Sequence, residues 1–261
     1  MTSGSVFRPP RFGRDSFELS HGLIHVWDGI GSIEATRYRC FYEILDDAER
    51  QRAERFRAEQ HKIRFVTCRG WLRLLLSAYT GLHPGDIPLT PGEHGKPRLN
   101  DNPPNTGLVF NVSHSGERMV FAFGLDCMLG VDIERFRDIP RLESLVDRIC
   151  SEPEKNTWLN LPAERRAQVF FAIWVRKEAI IKAHGQGVSL GMPDCALSND
   201  LERPVSLPES CGNVEDWTVL GLDYPEDYSG AIAVGSPLGS MVRQALPEQQ
   251  LLNLYLSREL G

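Results

Sequence analysis

The chain has no apolar run long enough to cross a bilayer, and Met1–Asp15 mixes Gly, Ser, Pro and Arg without an apolar stretch. That argues against a membrane span and a secretory signal, so a cytoplasmic location with no membrane partner is expected. Paired cysteines are missing too. Cys40, Cys68, Cys127, Cys150, Cys195 and Cys211 are scattered, which argues against a zinc knuckle or redox dithiol and fits buried thiols in a reducing compartment. Nor is there an excess of positive charge: 29 Lys and Arg against 35 Asp and Glu give −6, so no nucleic-acid partner is expected. What remains is an ordinary globular composition, 41% hydrophobic and 25% charged over 261 residues. It is enough for a substantial core in one domain or two compact halves.

The apolar spacing predicts a strand at Gly22–Trp27 and a long helix from a cap at Asp46 or Asp47 towards Tyr79, ended by Gly81. Ile87–Asn105, rich in Pro, Gly and Asn, reads as a surface loop. Strands follow at Leu108–Val112 and Met119–Phe123 around a Ser113–Glu117 turn, and a third runs through Leu129–Glu134. A short helix is expected at Leu142–Ile149 and a long one at Ala163–His184, stopped by Gly185 and Gly187. Strands at Trp217–Leu222 and Ala231–Val234 precede a closing helix over Pro247–Leu260. Each half thus reads as strand, helix, then paired strands, although no repeat is visible in the residues themselves. The expected fold is α+β, a pseudo-twofold pair of similar halves with antiparallel strands packed on a long helix. The expected division is a flexible 1–20, a first half over 21–125 and a second over 126–261, with a seam near Asp126.

The chemistry concentrates in two distant segments. In Leu129–Glu134 the apolar residues alternate with Gly130, Asp132 and Glu134, so both carboxylates share one face of a strand. In Trp174–Lys182 the residues Trp174, Glu178 and Lys182 recur at steps of four and share a helical stripe. Taken singly, the first pair fits a solvated strand edge and the second an ordinary surface pair worth about 0.2–0.5 kcal/mol. Taken together, three acids and nearby lysines suit a hard cation and a phosphate-rich ligand. One basic stretch stands out from the acidic whole: Arg50, Arg52, Arg55, Arg57, Lys62, Arg64, Arg69 and Arg73 face only Glu54 and Glu59. Within it, Arg64 and Arg73 are flanked by apolar residues, which points to a ligand role. His114, between Ser113 and Ser115, could suggest a Ser–His hydrolase, but no acid partner is obvious.

Four segments, Gly95-Lys-Pro97, Asn111-Val-Ser-His-Ser-Gly116, Gly130-Val-Asp-Ile-Glu134 and Trp174-Val-Arg-Lys-Glu-Ala-Ile-Ile-Lys182, occur in one order. Across Arg52 to Leu190 the chain resembles the 4′-phosphopantetheinyl transferases of the larger, surfactin-synthetase-activating (Sfp) type. The resemblance implies transfer of the phosphopantetheine arm of coenzyme A to a serine of an apo acyl or peptidyl carrier protein, leaving 3′,5′-ADP. It implies a monomer built as a fused pair of units. Mg²⁺, with Mn²⁺ an alternative, would be held by Asp132, Glu134 and Glu178. Glu178 competes for the role of base, Lys177 and Lys182 would meet phosphate oxygens, and Arg64, Ser113 and His114 would meet the 3′-phosphate. Lys96 and Pro97 would flank the adenine, and carrier contacts would lie between Lys182 and Pro208. The chain departs from the pattern at Cys150-Ser-Glu-Pro-Glu154, where Glu154 is the alternative base. The rival readings are another magnesium-dependent phosphoryl enzyme and a carrier-binding relative without catalysis.

Overall fold

The computed structural model describes residues 14–31, 35–92, 97–100, 107–185, 187–225 and 227–259. Strand β1 (Leu23–Ile30) is followed by helices α1 (Ala35–Ile44), α2 (Asp47–Glu54) and α3 (Glu59–Thr80). Two short strands, β2 (Leu89–Pro91) and β3 (Pro97–Leu99), lead into the hairpin of β4 (Leu108–Ser115) and β5 (Arg118–Leu125). The second half runs β6 (Met128–Arg135), α4 (Leu142–Ile149), α5 (Glu152–Leu159) and α6 (Ala163–His184). It continues through β7 (Ala196–Leu197), β8 (Pro204–Ser206), β9 (Trp217–Leu222) and β10 (Tyr228–Gly235), and the described chain ends with β11 (Ser240–Ala245) and α7 (Glu248–Glu259).

The α+β expectation holds, and the two halves share one topology. In the first sheet β1 pairs β5, which pairs β4; in the second β6 pairs β10, which pairs β9, all antiparallel. Each first strand thus pairs with the second member of an antiparallel pair, β4–β5 in one sheet and β9–β10 in the other. The matching helices α3 and α6 both contain 22 residues and end at a left-handed glycine, Gly81 at φ 76° and Gly185 at φ 89°. A glycine adopts that conformation without a Cβ penalty, and its N–H caps the last turn. The long helices each lie on one face of their sheet: Trp71 and Leu75 of α3 pack with Trp27 and Phe121, and Phe171 and Ala179 of α6 pack with Val219 and Ala231. A third cluster, including Val26, Val120, Val131 and Ile232, is shared by the two sheets.

Several elements differ from expectation. The predicted helix from Asp46 to Tyr79 is two helices, because after Glu54 the chain turns and Phe56 packs on Phe65, ring centroids 5.5 Å apart. The Ile87–Asn105 loop contains the β2–β3 pair. Ser113 to Ser115 belong to β4 rather than to a turn, which shrinks to Gly116 and Glu117. Strand β11 returns to the first sheet, parallel to β1, and α7 packs on that half through Leu251. No helix among the described residues is long and apolar enough to cross a membrane. All six cysteines are free thiols, with Cys68, Cys150, Cys195 and Cys211 buried.

Under the first sheet, the Trp27 indole Nε1 donates to Tyr79 Oη at 2.8 Å, and Tyr79 Oη meets Nδ1 of the buried His25 at 2.8 Å. Burial lowers the His25 pKa. The unfolded chain therefore takes up this proton more readily, so stability is complete above about pH 6.5 and falls as pH drops towards the depressed folded value. The expected loss is up to about 1.4 kcal/mol per pH unit. Denaturant melts between pH 7 and pH 5 should show this slope, and His25→Gln should flatten it.

Candidate functional site

The site is built where the β4 edge of one sheet meets the β6 edge of the other. Gly130 allows the approach of α6 to β6, since a Cβ there would stand 2.0 Å from Ala179 O and 2.5 Å from Ala183 N. With no side chain at 130, the next residues on that face, Asp132 and Glu134, are carried to α6. Lys182 Nζ donates to Asp132 Oδ1 at 2.6 Å, to Ser113 Oγ at 2.9 Å and to Val131 O at 3.3 Å. Ser113 Oγ also donates to Asp132 Oδ1 at 2.8 Å. The other oxygen, Asp132 Oδ2, is buried and has no hydrogen-bond partner among the described residues. Burial pushes the Asp132 carboxyl above its usual range despite the opposing pull of Lys182.

Glu134 Oε2 accepts from Ser115 Oγ at 2.9 Å and from Arg137 Nη1 at 2.9 Å. Glu178 lies close enough to feel both acids: its carboxyl is raised first by burial and next by the Asp132 charge, with Glu134 adding to it. No hydrogen bond or ion pair from the described residues is seen on the Glu178 carboxylate; Lys182, whose charge opposes the rise, forms its ion pair with Asp132. Among the described residues no group of three His, Cys, Asp or Glu side chains is already arranged around a metal position. The donor set nevertheless fits a hard divalent cation: buried carboxylates with an unpartnered oxygen and a raised proton affinity are short of positive charge.

On the opposite face of β4 from Ser113, His114 is exposed yet partly shielded from water. Loss of hydration, then the Arg64 charge, lower its pKa. The Arg64 charge thus reaches His114, while Ser113 is turned the other way, into the carboxylate cluster. Nearby, Arg52, Arg55 and Arg69, with Phe56, Phe65 and Pro97 and two acids, Asp46 and Glu49, line a cavity of about 570 Å³. The guanidinium groups of Arg52 and Arg69 lie over the Phe65 ring at 5.3 and 5.5 Å. Lys96 lies outside the described residues.

Three sequence candidates stand elsewhere. Lys177 and Glu154 form a buried pair at 2.6 Å, 0% and 4% exposed in their side chains. Lys177 Nζ also donates to Ile149 O and Met192 O, and Glu154 accepts from Ser151 N and Leu197 N. Both groups are therefore committed inside the second half, and the pair shares no partner with Asp132 or Lys182. Arg73 is likewise buried: it binds Asp46 Oδ2, Glu49 Oε2 and the carbonyls of Pro84 and Ile87, so it joins α2 to α3 and faces no ligand. A Gly-x-Ser-x-Gly spacing does occur, at Gly187–Gly191, but Gly187–Leu190 is a 3₁₀ turn after α6 and not the strand-to-helix elbow a serine nucleophile needs. Sequence reasoning missed Ser115 and the Arg52–Arg69 cavity; only the density of arginines hinted at the latter.

Two α+β halves of one topology thus bring acids and a lysine together at their junction, with a cluster of arginines beside them. Comparison with known proteins places that arrangement in a family. The family model described as the 4′-phosphopantetheinyl transferase superfamily matches residues 128–233, and that described as 4′-phosphopantetheinyl transferase, N-terminal, matches residues 33–124. The chain is 37% identical over 211 residues to the 4′-phosphopantetheinyl transferase HetI of Nostoc, covering 81% of this chain and 87% of that one. It is 31% identical to the 4′-phosphopantetheinyl transferase ffp of Bacillus subtilis, over 62% of this chain and 70% of the relative. With the 4′-phosphopantetheinyl transferase Sfp of Bacillus subtilis it shares 29% identity, over 65% and 74% of the two chains. The chain belongs to the 4′-phosphopantetheinyl transferase superfamily.

Proposed function

We propose that this phosphopantetheinyl transferase moves the 4′-phosphopantetheine arm of coenzyme A onto a serine of an apo acyl or peptidyl carrier protein, with a divalent cation, Mg²⁺ or Mn²⁺, at Asp132 and Glu134. The observation that carries the reading is the unpartnered buried oxygen of Asp132 beside Glu134, Glu178 and Lys182. Bound there, the cation supplies the positive charge that lets carboxylates and a diphosphate share one site; unit charges about 4 Å apart interact by roughly 4 kcal/mol even at an effective dielectric near 20.

The chain's own residues supply the rest. Glu178, whose raised proton affinity suits proton uptake, takes the proton of the carrier serine and so acts as base rather than as a third cation ligand. The serine oxygen bonds to the pantetheine-side phosphorus, the bridging P–O bond breaks, and 3′,5′-ADP leaves with the electron pair. Lys182 stabilises the charge that grows on that leaving group. Glu154 is not assigned as base in this reading, since its oxygens already accept from Lys177, Ser151 N and Leu197 N. Arg64 and His114 take the 3′-phosphate, and Pro97 with the arginine-lined cavity takes the adenine, so residues 21–125 hold the nucleotide and 126–261 face the carrier. Ser113 from one half and Asp132 and Lys182 from the other meet within a single chain, which supports a monomeric enzyme; the six free thiols fit a reducing, cytoplasmic location.

Release of 3′,5′-ADP, followed by chromatography, is expected with coenzyme A, apo carrier and Mg²⁺; it should stop in EDTA and resume with excess Mg²⁺. Release that continues unchanged in EDTA would overturn the cation assignment. Calorimetric titration gives a separate check on the 3′-phosphate. Arg64→Ala is expected to weaken coenzyme A by roughly 1.5–3 kcal/mol, the range for a charge-assisted hydrogen bond, with little effect on dephospho-coenzyme A or carrier. Equal losses for coenzyme A and its dephospho form would remove Arg64 from that contact.

A further inference from the structure

The outer edge of β6 is completed by side chains rather than by a partner strand. Val131 N donates to Asn111 Oδ1 at 2.9 Å, Ile133 N to Ser113 Oγ at 3.4 Å and Arg135 N to Ser115 Oγ at 3.0 Å. The three acceptors alternate along β4 and the three donors alternate along β6, so the two halves are laced at every second residue. A serine hydroxyl has one proton to give. With its oxygen already accepting a backbone N–H, each serine directs that proton to the carboxylate one residue earlier: Ser113 to Asp132, and Ser115 to Glu134. The Asn111 rung has no such partner, because the residue before Val131 is Gly130.

The two carboxylates are not held equally. Asp132 is buried and also gripped by Lys182. Glu134 has a longer side chain, and its other partner is Arg137, 56% exposed. An exposed ion pair fixes geometry weakly, whereas the Ser115 hydroxyl is locked by the β6 backbone itself. We propose that Ser115 is a positioning residue: through the Ser115–Glu134 hydrogen bond the nucleotide-binding half sets the carboxylate that the carrier-facing half offers to the cation. This rests on the cation reading of Asp132 and Glu134 given above. Groups of this kind orient ligating carboxylates, and losing one typically lowers metal affinity by tenfold to a hundredfold.

The test is the affinity of Mn²⁺ alone, read from the electron paramagnetic resonance signal of the free ion, for wild type, Ser115→Ala, Ser115→Thr and Asp132→Ala. Each is held well below its thermal midpoint, with and without coenzyme A. The expected result is a dissociation constant raised roughly tenfold in Ser115→Ala and restored to near wild type in Ser115→Thr, which keeps a hydroxyl. At saturating Mn²⁺ the transfer rate of Ser115→Ala should approach that of wild type, placing the defect in cation affinity. If Ser115→Ala binds Mn²⁺ as tightly as wild type, and only its melting temperature falls, Ser115 merely closes the strand edge and the inference is wrong. If wild type and Asp132→Ala bind Mn²⁺ equally, the cation reading itself fails and takes the inference with it.

Discussion

Asp132→Ala should lower the rate of phosphopantetheine transfer roughly a thousandfold, the equivalent of about 4 kcal/mol of lost charge interaction. The fold should survive the change. The Asp132 carboxyl is buried, raised in proton affinity and left with an unpartnered oxygen, so its removal relieves a desolvation cost even as it costs Lys182 a partner. The thermal midpoint is therefore expected to hold within a few degrees, and coenzyme A binding measured in EDTA should be unchanged. Asp132→Asn, which keeps the shape, should lose nearly as much rate. A variant that keeps its rate, or that unfolds as it loses it, would not fit a carboxylate placed for a cation.

The second large effect concerns stability. Lys177→Ala leaves the Glu154 carboxylate buried without its cation, a change that typically costs about 3–5 kcal/mol. For a chain of this size that lowers the melting temperature on the order of 10 °C. Joining Lys177→Met with Glu154→Gln should recover much of the loss, since the amide oxygen still accepts a backbone N–H and no lone charge remains. Below the transition, transfer per folded molecule should stay near wild type in both. Loss of activity at an unchanged melting temperature would instead put Lys177 among the groups that touch substrate.

Lys177 also shows what was legible in the sequence and what was not. Five residues at 3.6 per turn set Lys177 roughly 140° from Lys182 around α6, off its stripe. The motif suggested a shared role, and the spacing alone does not show that Lys177 is held by Ile149 O, Met192 O and Glu154. Local periodicity did mark the glycine-stopped long helices, the alternating strand with Asp132 and Glu134, and the stripe carrying Glu178 and Lys182, because each signal lies within one element. The break between α2 and α3 carries no glycine or proline, only Phe56 folding onto Phe65. Strand β11 has no fully buried residue and finds β1 across more than two hundred residues. The Ser115–Glu134 contact needs β4 and β6 set edge to edge from two sheets, a register that no single segment encodes.

Intact mass spectrometry of a purified apo carrier, after incubation with coenzyme A and Mg²⁺, tests the central claim most directly. Wild type should add one phosphopantetheine per carrier serine, and parallel samples with EDTA or with Asp132→Ala should add none in the same time. A gain that persists with Asp132→Ala, or no gain on any apo acyl or peptidyl carrier while coenzyme A still binds, would contradict the account.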